Sequence, residues 1–285
     1  MGVLLIGLVL GMILFLLSSG VTIIFGVLGV INFAHATYFT LGAFIAFACV
    51  SGTGSYLLAF PVAILAGALV GALQEVLTFR PIYKHDHAFQ LIVSLGVATV
   101  FMAVLHAIWG LDYKNVPQPQ MFSSAIEFAG TQLSTFRLLV VAIGVAFCAA
   151  LLFVIERTPV GLMIRAASTN SDMLSSLGVN VNRLRTWVLA TGSAAAALAG
   201  VIVAPITAVQ LNMGMTMLLD SFLVVILAGL GSVRGAIFVS LLIGMTRAYG
   251  QLLFPEWVQF IVYGGALAFL MVRPNGMFGQ KVRAA

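Results

Sequence analysis

No aspartate, glutamate, lysine or arginine occurs between Met1 and Gln74. Soluble domains carry about a quarter of their residues as charges, so a stretch of this length has no aqueous surface to offer. The rest of the chain keeps the pattern: it is 62% hydrophobic and 7% charged, with a mean hydropathy of +1.16. The apolar runs are continuous rather than alternating, which argues against a β-barrel. The fold class is therefore all-α and polytopic, a protein whose solvent is the lipid bilayer. The opening MGVLLIGLVLGMILFLLSSG lacks a basic flank and a small-residue cleavage site, and is expected to remain as a span. A formal net charge of +5 would point to nucleic acid in a soluble protein. Here it is assigned to one face of the membrane, and no nucleic-acid partner is expected.

Eight apolar segments are expected at about Val3–Phe25, Ile31–Val50, Tyr56–Phe79, Phe89–Trp109, Phe136–Ile155, Thr186–Val209, Met217–Leu230 and Ala236–Phe254. Trp257–Val272 makes a ninth, and the first two form a broken pair through Gly26, Gly29, Asn32 and His35, so the count is eight or nine. Placing the stretch Glu156–Arg185 on the cytoplasmic side puts ten of the thirteen basic residues on that side. Lys114 and Arg137 fall on the other side with Asp112, Glu127 and Glu256, and the N-terminus lies outside. One sizeable extracytoplasmic loop results, about 110–135, containing Pro117 and Pro119. The whole of 1–285 reads as one transmembrane domain.

Two glycine-rich segments interrupt the apolar runs, GVLGVINFAHATYFTLG from Gly26 and AGLGSVRGAIFVSLLIG from Ala228. Broken hydrophobic segments in both halves point to a translocation path between pseudo-repeats, and polar groups at membrane depth need a cavity or a partner. Asn32, His35, Thr37 and Thr40 are the candidates for path or gate, with buried hydrogen bonding in tight helix packing as the plain alternative. Asp220 and Arg247 lie on antiparallel segments about 20 Å from a turn near Val233. They are expected to form an ion pair in the outer half of the membrane, the alternative being that each lines a watery cavity. Glu75 sits within reach of Arg80 or the interface.

Catalysis finds no support. Cys49 and Cys148 sit in apolar runs, no His/Cys/carboxylate cluster has ligand spacing, and no catalytic triad motif occurs, so neither a metal nor a cofactor is expected. No GxxxxGK[ST] loop occurs either, so the chain hydrolyses no ATP by itself.

The basic stretch ERTPVGLMIRAASTNSDMLSSLGVNVNRLR is the most structured loop. Pro159 suits a first helical turn, Ser171 an N-cap that puts Asp172 in the next first turn, and Gly178 a C′ position. Two short helices are expected, about Val160–Ala167 and Asp172–Leu177.

Four pieces in order, GVLGVINFAHATYFTLGAF, GLMIRAASTNSDMLSSLGVNVNRLR, LAGLGSVRGAI and RPNGMFG, resemble the permeases of branched-chain amino acid ABC importers, the Liv type, over nearly the whole chain. The resemblance implies a permease subunit of the bacterial inner membrane that forms the translocation path. It also implies two cytoplasmic ATPases that hold the ATP, a second related permease or a second copy, and an extracytoplasmic binding protein. It makes 156–185 the ATPase-coupling loop, with Arg165, Asp172, Met173, Leu174, Leu177 and Gly178 as its working residues. Asp172, Met173, Leu174 and Gly178 match the family's EAAxxxG-like pattern, with Asp for Glu and bulkier side chains for two alanines. An ion-coupled secondary transporter or channel for a small polar solute is the rival. It would want a midplane carboxylate, and Glu75 and Asp220 are each placed near a face. Amide or urea-like substrates stand beside branched-chain amino acids.

Overall fold

A backbone in hydrocarbon must satisfy its own hydrogen bonds, and every apolar run of this chain does so as a helix. The computed structural model describes residues 1–122, 124–128 and 131–278. Seven helices are long and apolar enough to cross a membrane: α1 (Gly2–Leu28), α2 (His35–Thr53), α3 with its extension (Ala59–Ile82), α5 (His87–Trp109), α6 (Thr135–Arg157), α9 (Val181–Val203) and α11 (Val233–Leu253). Two shorter apolar helices, α10 (Met213–Ala228) and α12 (Val258–Val272), complete the nine runs. Among the described residues the count is therefore nine apolar helices. Two further short helices, α7 (Pro159–Thr169) and α8 (Ser171–Ser176), form the hairpin expected between α6 and α9.

Two expected segments are longer in the sequence than in the structure. Ile31–Val50 begins as a helix only at His35, because Gly29 adopts φ 67 and closes α1 through its N–H to Phe25 O. Thr186–Val209 stops being helical at Val203, and Val209 instead exchanges backbone hydrogen bonds with Lys114. Each break precedes a second helix and then a long one, so α1–α2–α3 and α9–α10–α11 repeat one order. The senses are opposite: α1 ends, and α9 begins, beside the α7–α8 hairpin, with Gly20 of α1 against Gly192 of α9.

Crosswise packing joins the halves. Along α1, Gly7 meets Met245 and Gly26 meets Gly231, which sets α1 antiparallel to α11. Along α3, Gly67 meets Ala197 and Gly71 meets Ser193, which does the same for α3 and α9. Where α2 crosses α9, a β-carbon on Gly42 would enter the carbonyl of Ala197, and one on Gly200 the carbonyl of Phe39. Helices in lipid associate by close packing and not by expelling water, so this backbone contact is the attraction itself. α5 and α12 lie outside this core and turn Ile92, Val100, Phe260 and Leu267 outward.

The loops sort to two ends. The hairpin end holds Arg80 against Thr186, Glu156 against Arg234, and Met277 bonded to Leu227. At the opposite end Tyr56 meets Phe136, and the loop after α5 folds into a two-stranded hairpin, β1 (Ala125–Phe128) with β2 (Thr131–Ser134). That hairpin is an addition to the all-α reading, within the expected 110–135 loop. Lys281 and Arg283, assigned to the basic face, lie outside the described residues.

Candidate functional site

The α7–α8 hairpin is built by its own polar residues. Thr158 accepts the N–H of Gly161 at 3.2 Å, and Pro159 follows at the first position of α7, where it has no N–H to waste. The cap of α8 is Asn170, not Ser171: its Oδ1 accepts the N–H groups of Asp172 at 3.1 Å and Met173 at 2.9 Å. Asn170 has an extended backbone and so stands outside the helix facing its open end, whereas Ser171 is already the first helical residue. Gly178, at φ 86, ends α8 in the left-handed region, with its N–H on Ser175 O at 3.0 Å. Asp172 sits in the first turn, as expected.

Burial separates the hairpin's apolar side chains into two kinds. Leu174 is buried in the cluster that contains Phe79, Ile155, Val181 and Leu184. Met173 and Leu177 are 64% and 72% exposed. Arg165 is exposed and donates from Nη1 to the carbonyl of Ile155, which ties α7 back to the end of α6. Outside the spans, burial is the main cause that holds the Tyr83 phenol well above its usual range.

The four candidate path residues form one buried layer around the break after α1. Asn32 and Gln74 pair amide to amide at 3.1 Å in both directions, and Tyr38 Oη donates to the same Gln74 Oε1. Phe33 N–H donates to Ser94 Oγ at 3.3 Å, which brings α5 to the break. Thr37 donates to Ala34 O at 2.7 Å, and Thr40 lies 3.4 Å from Leu211 O, at the second break. His35 Nε2 donates to Leu17 O at 3.1 Å, because a carbonyl only accepts. That fixes Nδ1 as a bare acceptor, and it is buried without a partner. Gln74, Tyr38 and Ser94 were not singled out from the sequence, although Gln74–Glu75 is the first polar pair in the α3 run.

Asp220 and Arg247 meet. Arg247 Nη2 donates to Asp220 Oδ1 at 2.5 Å, and Tyr263 Oη donates to the same oxygen at 2.8 Å. The turn is Gly229–Ser232 and not Val233, so Asp220 lies eight residues before the end of α10 and Arg247 fourteen into α11. The difference of six residues is about 9 Å of rise. Side chains lean toward their helix N-terminus, Asp220 away from the turn and Arg247 toward it, and this closes the gap.

A cleft of about 710 Å³ runs between α1, α6, α7 and α9, walled by Ile23, Val154, Met163, Leu184 and Trp187. None of the four candidate path residues lines it. Its nearest approach to them is Gly20, whose missing side chain leaves room for the His35 ring. Among the described residues no group of three His, Cys, Asp or Glu side chains could hold a metal ion.

Against known proteins, residues 3–271 match the family model described as the permease component of the branched-chain amino acid transport system. The chain is 26% identical to the high-affinity branched-chain amino acid transport system permease protein BraD of Pseudomonas aeruginosa, covering 96% of this chain and 94% of that one. It is 25% identical to LivH of Escherichia coli, which carries the same description, with the same coverage. No solved structure matches it.

Proposed function

Because this chain belongs to the branched-chain amino acid transport permease family, we propose that it is the membrane-spanning subunit of an ATP-driven importer for branched-chain amino acids and docks a separate ATPase through its α7–α8 hairpin. One observation carries the docking: the hairpin seats Leu174 in its own core while Met173 and Leu177 face outward beside Asp172. An amphipathic helix that holds apolar knobs away from its own protein fits a groove on a partner. Asn170 and Gly178 close both of its ends, so it meets the partner already formed.

The remaining partners follow from the same reading. The two ATPases bind the ATP, and this chain holds no cofactor. A second related permease, or a second copy, completes the membrane part. A binding protein delivers substrate at the opposite end, against the loop that carries β1 and β2. The membrane is the bacterial inner membrane, and 1–285 is one permease domain. Transport is alternating access: closure of the ATPases displaces the hairpin, and the two inverted halves reorient about their breaks. Asn32, His35, Thr37 and Thr40 belong to the path or its gate. The bare Nδ1 of His35 supports this, since a buried acceptor without a donor costs about 1–3 kcal/mol and invites a hydrated passage. An ion-coupled mechanism has no comparable foothold, as Glu75 and Asp220 are both committed to arginines.

Affinity purification of the tagged chain from its native membrane tests this. An ATPase subunit is expected to come with it, and uptake of leucine is expected to stop with vanadate and to survive an uncoupler. Absence of the ATPase together with the reverse inhibitor pattern would overturn the reading.

A further inference from the structure

Glu75 is fully buried, yet four polar groups converge on it. Its Oε2 accepts from Thr186 Oγ1 at 2.6 Å and from Arg80 Nη2 at 2.8 Å. Its Oε1 accepts from Tyr83 Oη at 3.3 Å and Arg80 Nε at 3.4 Å. Arg185 lies over the Tyr83 ring, 4.2 Å from its centroid. Thr186 and Arg185 belong to the opening turns of α9, which begins directly after the hairpin. The carboxylate therefore grips the element that the hairpin leads into.

The backbone at this point is unusual. Glu75–Phe79 is a π-helical turn between α3 (Ala59–Gln74) and the single turn α4 (Arg80–Ile82), with Arg80 N–H bonded to Glu75 O. Pro81 has no N–H for the carbonyl four residues back and its ring crowds it, so a wider turn is favoured just before it. The wide turn keeps Glu75 and Phe79, four apart, on one face, and Phe79 is buried in the cluster that holds Leu174 of the hairpin. A return to α-helical register would rotate one of them by about 100° out of its place. π-Turns within helices recur at functional sites for this reason.

The residue before Glu75 is Gln74, the centre of the Asn32–Tyr38 layer. We propose that Glu75 is a positioning residue which passes displacement of the α7–α8 hairpin through the π-turn to Gln74, and so to the break that bounds the path. The proposal rests on the importer reading above, since it is an ATPase-driven displacement that the hairpin passes on.

The test uses the complete transporter in proteoliposomes and measures uptake and ATP hydrolysis in the same vesicles. Glu75→Gln keeps the size and removes the charge, and Thr186→Val removes the hydroxyl. Each is expected to lower uptake per ATP hydrolysed about ten-fold, with ATPase co-purification unchanged. The double variant is expected to fall no further than the worse single one, because both cut one link. Thr186→Ser, which keeps the hydroxyl, is expected to hold the wild-type ratio. Uptake and hydrolysis falling in parallel, an unchanged ratio, or additive losses in the double variant would each overturn the relay alone. A wild-type chain that recruits no ATPase would overturn the importer reading and the relay with it.

Discussion

Asp220 is 4% exposed in its side chain and Arg247 25%, so neither charge has water enough to stand alone. Removing one partner of a buried pair leaves the other uncompensated, which costs about 3–5 kcal/mol. Arg247→Leu is accordingly expected to lower the temperature at which the detergent-solubilised protein loses its monodisperse elution peak. The charge swap, Asp220→Arg with Arg247→Asp, is expected to recover most of that loss but not all. Tyr263 now donates to Asp220, and an arginine at 220 offers it nothing to donate to. A swap that is no better than either single change would show that the two charges do not stabilise one another. The pairing was legible in the sequence because two lone charges on neighbouring apolar runs restrict each other. Tyr263 was not, since a tyrosine in an apolar run reads equally well as core or belt. Glu75 was read as a boundary residue, because linear distance from the nearest arginine says nothing of Thr186 arriving from α9.

At the scale of elements, the hairpin joins local rules to a distant purpose. Its helices, its C′ glycine and the acidic first turn follow from residue chemistry within about ten positions, and these were readable. The Ser171 cap was off by one, because two capping residues stand side by side and only the backbone decides which is outside the helix. The π-turn had no signal beyond Pro81, and the two breaks were placed too loosely because hydropathy continues through them. Gly178 at φ 86 is the sharpest lever. An L-residue there costs about 1–2 kcal/mol, and a proline also loses the bond to Ser175 O. Gly178→Pro is expected to abolish ATPase-dependent uptake while the amount of membrane-integrated protein stays near wild type, as membrane fractionation would measure. Asn170→Ala, a lost cap worth about 1 kcal/mol, is expected to reduce uptake partially. Loss of the protein from the membrane fraction would mean instead that the hairpin only supports the fold.

For the molecule as a whole, the packing fixes which loops share an end, and charge then decides which end faces the cytoplasm. Arg80, Lys84, Arg157, Arg165, Arg183, Arg185, Arg234 and Arg273 stand at or next to the hairpin end, against Lys114 and Arg137 at the other. Basic residues in short loops resist translocation, so the hairpin end is expected inside. The inverted order of the two halves makes the claim rigid. Gly7 lies on Met245 and Gly26 on Gly231, so α1 cannot reverse without carrying α11 with it. With Cys49 and Cys148 replaced by alanine, a cysteine at Tyr113 is expected to react with a membrane-impermeant maleimide in intact cells. A cysteine at Leu177, 72% exposed on the hairpin, is expected to react only after the membrane is opened. Labelling of both positions in intact cells would mean that the charge asymmetry does not set the orientation, and would remove the hairpin from reach of any cytoplasmic ATPase.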